Sequence, residues 1–314
     1  MKKLVLAGLA VGLMTGTAAA QTVGVSMALF DDNFLTVLRN GIEEYAGTLD
    51  GVEVQIEDAQ NDVGRQLNQI QNFVASGVDA IIVNPVDTDA TEAMSALAAQ
   101  ANIPLVYVNR QPVNLETLPD NQAFVGSNEV DSGTLETQEV CRLLQEVGKG
   151  EGANIVVMMG ELSNQAARQR TQDVHDVIAT DECSFMTIVE EQTANWQRTQ
   201  AADLMTNWLS AGVQFDALVS NNDEMAIGAI QSMKAAGMSM EDVIVGGVDA
   251  TQDALAAMQA GDLDVTVFQN AAAQGSGSLD AAIALAAGEE VEQVIWVPFE
   301  LVTPENIEDY FEAN

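Results

Sequence analysis

Short apolar runs alternate with amphipathic stretches along almost the whole chain, and each kind of segment predicts one element. Thr22-Val23-Gly24-Val25-Ser26-Met27 reads as a first strand. After a polar loop at 29–34, Leu35, Leu38, Ile42 and Tyr45 recur at helical spacing. Val52-Glu53-Val54-Gln55-Ile56 alternates as a half-buried strand does. Leu67, Ile70, Phe73 and Val74 then mark a helix that opens at Gln60-Asn61-Asp62 and stops at Gly77. A strand over 78–85, a helix over 88–101, a strand over 103–108 and a short strand at 124–126 follow. The same grammar restarts with helices at 130–147, 165–179 and 197–210, each preceding a strand, at 154–160, 186–190 and 215–220. Strands at 243–249 and 265–269, a helix at 274–287 and strands near 294–302 close the chain. Continuous apolar strands between helices predict parallel sheets built by right-handed crossovers. Two successive α/β units of similar size predict two lobes with a cleft between them. No long linker separates the units, so several short hinge crossings are expected.

One stretch concentrates candidate chemistry. Leu218-Val219-Ser220 ends a strand, Asn221-Asn222-Asp223 forms a polar loop, and Met225, Ala226, Ala229 and Ile230 begin a helix. In open α/β sheets, ligands bind beside the carboxyl ends of strands. One Asn or Asp would suffice to cap the helix, and two amides with a carboxylate exceed that need. Other strand ends carry Asn109-Arg110, Asp249 and Gln269, and Arg168 and Arg170 follow the strand that ends at Gly160. Phe34 and Trp196 stand in loops before helices. Arg, Asn, Asp and Gln offer fixed donors and acceptors to neutral hydroxyls, and aromatic faces cover the C–H faces of a ring. That is the composition of a polyol or sugar pocket. For each of these residues taken alone, capping, a surface pair or core packing is the alternative.

Charge and cysteine content narrow the classes. The chain has 314 residues, 47 acidic and 11 basic, for a formal net charge of -36. Such a surface disfavours nucleic acid and anionic membranes as partners. Lys2-Lys3, the short apolar run Leu4–Met14 and Ala18-Ala19-Ala20 read as a secretory signal peptide over 1–20, cleaved before Gln21. No later segment is long and apolar enough to cross a membrane. Cys141, in a helical pattern, and Cys183, just before a strand, are the only cysteines; in an exported protein they are expected to pair. His175 is the only histidine and reads as solvated, so no zinc spacing exists and no metal or cofactor is expected. Gly275-Ser276-Gly277-Ser278 lacks the order of a nucleophile elbow, and no phosphate-binding Gly-rich fingerprint follows a strand. The adjacent Asp31 and Asp32 are a weak case for a glycosidase pair. No catalytic residues are expected.

The run Asn222-Asp223-Glu224-Met225-Ala226-Ile227-Gly228-Ala229, with Val245-Gly246-Gly247-Val248-Asp249 and Val265-Thr266-Val267-Phe268-Gln269, resembles periplasmic sugar-binding proteins of ABC importers. Asn84-Pro85-Val86-Asp87, Ala101-Asn102-Ile103-Pro104-Leu105 and Ala166-Ala167-Arg168-Gln169-Arg170 extend the likeness over nearly the whole mature chain. The ribose, galactose and inositol cluster is closest, and Glu191-Gln192-Thr193-Ala194-Asn195 followed by Arg198 looks most like its myo-inositol-binding members. The resemblance implies an α/β fold of two Rossmann-like lobes with parallel sheets, the type I periplasmic binding protein, with three hinge crossings. It implies an N-terminal lobe of 21–126 plus 270–296 and a C-terminal lobe of 127–269 plus 297–314. It places ligand contacts on Phe34, Arg110, Arg170, Trp196, Asn222, Asp249 and Gln269, with Asn109 beside them and looser contacts near Asp31 and Asp32. Two positions depart from the family pattern: its usual Asp-Arg pair is Asn109-Arg110 here, and its usual second aromatic is Leu35. A ligand ammonium would lose a carboxylate partner at Asn109, so a neutral ligand is expected. The implied protein is a periplasmic monomer that captures a cyclic polyol or monosaccharide, myo-inositol first, and delivers it to a membrane permease. A ribose- or galactose-type binder, a secreted carbohydrate-active enzyme and the effector domain of a sugar-responsive repressor are the rivals.

Overall fold

The computed structural model describes residues 21–313, so the expected signal peptide lies outside the described residues. The chain opens with β1 (Gln21–Met27), α1 (Asn33–Thr48), β2 (Val52–Asp58), α2 (Val63–Ser76), β3 (Ala80–Val83), α3 (Thr91–Ala101), β4 (Leu105–Val108) and β5 (Gln122–Gly126). Asp62 caps α2 through its side chain, and Gly77 ends that helix in the left-handed conformation, as turn chemistry dictates. All of β3, β4 and β5 is buried, which explains the unbroken apolar runs of β3 and β4. Close helix packing fixes the residue at Gly24: a Cβ there would meet the Phe73 ring of α2 at 2.6 Å.

The second unit runs α4 (Glu129–Glu146), β6 (Ala153–Met159), α5 (Gln165–Ile178), β7 (Met186–Thr193), α6 (Arg198–Ala211), β8 (Ala217–Ser220), α7 (Asp223–Ala235), β9 (Ile244–Gly246), α8 (Gln252–Gln259) and β10 (Thr266–Gln269). The chain then returns to the first unit with α9 (Ala271–Ala286), which packs on α1 and on β3, β4 and β5. Next, β11 (Val294–Trp296) joins the first sheet beside β5, and β12 (Phe299–Val302) pairs with β10. The first sheet has the order β11-β5-β4-β3-β1-β2, and the second β7-β6-β8-β9. Every pairing within these two sheets is parallel. Each sheet has an apolar cluster on both faces, one pair around Leu38 and Phe73, the other around Met225 and Val140. The architecture is thus α/β with parallel sheets in two lobes, and the chain passes between them at 126–129, 269–271 and 296–299.

Three features differ from the sequence expectation. The β10–β12 pair is antiparallel, because β12 begins at the end of the sheet where β10 finishes and must run back along it. The expected strand at 243–249 shortens to β9; beyond it an isolated bridge joins Asp249 to Phe268, and Asp249 at φ 122° and Ala250 at φ 52° then turn the chain out of the extended region. After them α8 forms, a helix of 8 residues capped by Thr251 and too short to carry a clear periodic signal. Cys141 of α4 and Cys183 before β7 form a disulfide, as expected, with their Cα atoms 5.8 Å apart. Cross-linking positions 42 residues apart stabilises the second lobe by roughly 2–4 kcal/mol.

Candidate functional site

The carboxyl ends of both sheets face one cleft, and side chains from both lobes line a pocket within it, the kind of concave setting in which small molecules bind. The first lobe contributes the start of α1. Asp32 accepts the Leu35 backbone N–H at 2.8 Å and so caps the helix. This cap directs Phe34 and Leu35 inward to the cavity wall, while Asp31 is exposed and lines only the wider mouth of the cleft. Burial raises the Asp32 carboxyl above its ordinary range, against the Leu35 N–H and the Arg110 guanidinium.

At the end of β4, Asn109 adopts φ 67° and joins a chain of buried amides. Asn84 Nδ2 donates to Asn109 Oδ1 at 3.2 Å, Asn109 Nδ2 to Gln274 Oε1 at 3.3 Å, and Gln274 Nε2 to Ser127 Oγ at 2.9 Å. The chain ties β3, β4, α9 and a hinge crossing into one frame. Arg110 donates from Nη1 to the Pro85 carbonyl at 2.9 Å. Burial pulls its guanidinium below the ordinary value, with Asp32 and Glu161 opposing the shift.

The second lobe builds its wall around Arg170. Its Nε and Nη2 grip both oxygens of Glu129 at 2.7 and 3.2 Å, and its Nη1 donates to the Asn221 carbonyl at 2.6 Å. Asp249 lies 3.8 Å from Nη1. Burial alone would lower the Arg170 guanidinium; Glu129 and Asp249 more than offset it. Asp249 itself is held well above the ordinary carboxyl range by burial, despite Arg170. Its positive φ turns the carboxylate toward the cavity, beside Gln269 at the end of β10. Asn222 resolves the question of cap or site by serving as both: its Oδ1 accepts the Met225 N–H at 3.0 Å, and the residue lines the cavity. Asp223 turns away instead, accepting from Thr266 Oγ1 at 2.8 Å and Thr251 N at 3.0 Å.

Trp196 covers the cavity from the loop before α6, 5.7 Å from the Arg170 guanidinium. Asn195 and Trp196 both have positive φ, at 52° and 66°. A Cβ on Gly160 would meet the Trp196 ring at 2.2 Å, so the residue beneath the indole must be glycine.

Nine residues named from the sequence therefore line one cavity: Asp32, Phe34, Asn109, Arg110, Arg170, Trp196, Asn222, Asp249 and Gln269. Glu129, Asn164 and Ala166 line it too and were not singled out. Glu129 is a hinge residue whose partner becomes evident only when α4 and α5 pack. Asn164 precedes a helix and reads as a cap, yet its side chain makes no capping bond. The lobes touch across the cleft: Asn33 Nδ2 donates to Glu224 at 3.0 Å, and Asn61 Nδ2 to Glu161 at 3.1 Å. The cavity wall holds amides, carboxylates, two guanidinium groups and two aromatic faces, but no Ser, Cys, His or Lys. Such a set can fix hydroxyls from several directions and cover a ring. Among the described residues no group of three or more His, Cys, Asp or Glu could hold a metal ion, and no helix is long and apolar enough to cross a membrane.

Known proteins share this fold. Residues 23–290 match the periplasmic binding protein domain family. A putative rhizopine-binding protein of Rhizobium meliloti is 67% identical over the full length of both chains. A solved ABC transporter solute-binding protein of Bacillus halodurans with bound myo-inositol is 41% identical, with a TM-score of 0.88 over 96% of this chain and 100% of that one. The myo-inositol-binding protein of Caulobacter, solved with myo-inositol, is 28% identical with a TM-score of 0.81, covering 95% and 98% of the two chains.

Proposed function

The chain belongs to the periplasmic binding protein family, and on that premise we propose that it captures a neutral cyclic polyol, myo-inositol first, for an ABC importer. The ligand lies in the cleft and the lobes close over it. Arg110, Arg170, Asn109, Asn222, Gln269, Asp249 and Asp32 pair with its hydroxyls, and Phe34 and Trp196 cover its ring. Asp31 acts at the mouth. The N-terminal lobe comprises 21–126 plus 270–296, and the C-terminal lobe 127–269 plus 297–314. The protein works in the periplasm as a monomer and hands its cargo to a membrane permease unaltered.

The observation that carries this reading is the wall itself: two buried guanidinium groups and three carboxylates converge with two aromatic faces on one small cavity. The myo-inositol in the 41% identical structure supports the choice of ligand. Each hydroxyl both donates and accepts, so a ring bearing hydroxyls can satisfy carboxylates and guanidinium groups together. The rhizopine named for the 67% identical relative is the main rival cargo, followed by a pentose or hexose.

A thermal-shift panel of myo-inositol, rhizopine, pentoses and hexoses tests the reading. A micromolar ligand at a hundredfold excess over its Kd adds roughly 3 kcal/mol of stability. The account expects the largest rise in melting temperature with myo-inositol, and intact myo-inositol recovered after incubation. A larger rise with another solute reassigns the cargo, and no rise with any polyol or sugar refutes the ligand class.

A further inference from the structure

Asn164 sits at the junction of three things that the binding reading treats separately: the lobe contact, the aromatic wall and the cavity. It is fully buried. Its Oδ1 accepts the Trp196 indole N–H at 3.0 Å. Its Nδ2 donates to the Val86 carbonyl at 3.0 Å and to Ser163 Oγ at 3.3 Å. Val86 follows β3 in the first lobe, while Asn164 and Trp196 belong to the second. One amide therefore bridges the lobes with its nitrogen and holds the aromatic wall with its oxygen.

The surrounding contacts make this edge of the cleft a docking seam. Thr88 N and Oγ1 both donate to the Ser163 carbonyl at 3.1 Å, and Gln165 N donates to Thr88 Oγ1 at 3.1 Å. Arg168 reaches Asp89 at 3.1 Å. All of these bonds join the segment 86–89 to the segment 163–168, and separation of the lobes breaks them together. Asn164 Nδ2 then keeps only Ser163 Oγ in its own lobe and loses the shorter bond to the Val86 carbonyl. The oxygen that holds Trp196 is less firmly directed as a result, because the two groups share one rigid plane. The face of the Trp196 ring rests on Gly160, its indole N–H donates to the Asn164 oxygen, and its backbone is held at positive φ.

We propose that Asn164 is a positioning residue that couples lobe closure to the setting of Trp196 over the ligand, so that the aromatic wall is completed by closure. The proposal rests on the solute-binding reading and goes beyond it, since it assigns a role to a residue whose sequence position suggests only a helix cap. Its energetic logic is that of a shared bond. Closure fixes the amide, the fixed amide fixes the indole, and the indole slows escape of the ligand. Loss of Asn164 therefore acts on release more than on encounter.

The test compares Asn164→Ala, Trp196→Phe and the double variant with the parent, by stopped-flow release of myo-inositol, or of whichever panel solute stabilises the parent most. Loss of both Nδ2 bonds and of the acceptor for the half-buried Trp196 indole N–H predicts a release rate about tenfold faster for Asn164→Ala. Trp196→Phe removes the same bond, so the double variant should release no more than about twofold faster than the faster single variant. Multiplying single effects in the double variant, or parent-like release from Asn164→Ala, overturns the coupling. A second measurement needs no ligand affinity. The three tryptophans give three indole N–H resonances, and Trp196→Phe identifies one. In the ligand-free Asn164→Ala protein this resonance should move and exchange faster with solvent, while the other two stay in place as markers of an intact fold. An unmoved Trp196 resonance overturns the proposal even if no panel solute binds. Absence of binding by the parent instead counts against the solute-binding reading.

Discussion

Two arginines face each other across the cleft and are held in opposite ways. Arg170, in the second lobe, has both Glu129 oxygens, the Asn221 carbonyl and Asp249 around it. Arg110, in the first lobe, is tied by one hydrogen bond to the Pro85 carbonyl, and its opposing charges, Asp32 and Glu161, act at longer range. The consequence appears in the direction of their proton affinities: the charge partners hold Arg170 above the ordinary value, and burial pulls Arg110 below it. Glu161 belongs to the other lobe, so part of the compensation for Arg110 arrives only when the lobes meet. Arg170 is thus a rigid donor built into a lobe, whereas Arg110 is a charge that gains from closure and from a ligand. The difference teaches where binding energy and folding energy are mixed. Loss of Arg170 should damage both, and loss of Arg110 should damage binding far more than folding.

The largest effects test the mixed wall. Arg170→Ala leaves Glu129 buried without its partner, which costs about 3–5 kcal/mol of stability, and abolishes measurable binding. Asp249→Ala should weaken binding ten- to a hundredfold or more, since hydrogen bonds to charged groups are worth roughly 1.5–3 kcal/mol. Denaturant titration and calorimetry read the two quantities separately. Arg110→Ala comes next: a ten- to a hundredfold loss of affinity, with ligand-free stability within about 1 kcal/mol of the parent. A stability loss equal to that of Arg170→Ala would erase the contrast between the walls. Asn109→Ala removes neutral amide bonds and should cost about fivefold in affinity, near 1 kcal/mol. If it were the most damaging of the four, the ranking by charge would be wrong.

The smallest effect on binding comes from behind the second wall. Asp173 is buried, accepts from Gln169 at 2.7 Å and has a second oxygen without a partner among the described residues. Burial pushes its carboxyl up to about 7, against the Gln169 bond. The folded state therefore holds a proton that the unfolded state releases near pH 4, and stability falls as pH rises from about 4 to about 7. Asp173→Asn should be more stable than the parent at pH 8, with an advantage that fades on acidification by at most about 1.4 kcal/mol per pH unit. Affinity should not change. Melting curves from pH 4 to pH 8 check this, and parallel pH profiles for both proteins would contradict it.

The same contrast separates what the sequence discloses from what it conceals. Strand ends are readable because a buried parallel strand must be apolar until it reaches the cleft, so Asn109, Asn222, Asp249 and Gln269 stand out where the apolar runs stop. Which arginine of the pair Arg168 and Arg170 enters the site is told only by resemblance: Arg170 lies within a helix, and no spacing tells that it points inward. Glu129 and Asn164 were not readable at all. The first looks like an acidic residue at a helix start, and the second like a helix cap; their true partners lie 41 and 32 residues away. Asp31 and Asp32 were indistinguishable until the capping bond from Leu35 showed which of the two turns toward the cavity. Local chemistry marks the edge of the site, and long-range packing decides its second layer.

Isothermal titration of the parent protein with myo-inositol tests the central claim most directly. The account predicts saturable binding of one molecule per chain, micromolar or tighter, lost in Arg170→Ala and weakened ten- to a hundredfold in Asp249→Ala. No heat of binding from myo-inositol, with a full isotherm from an unrelated class of solute, would contradict it.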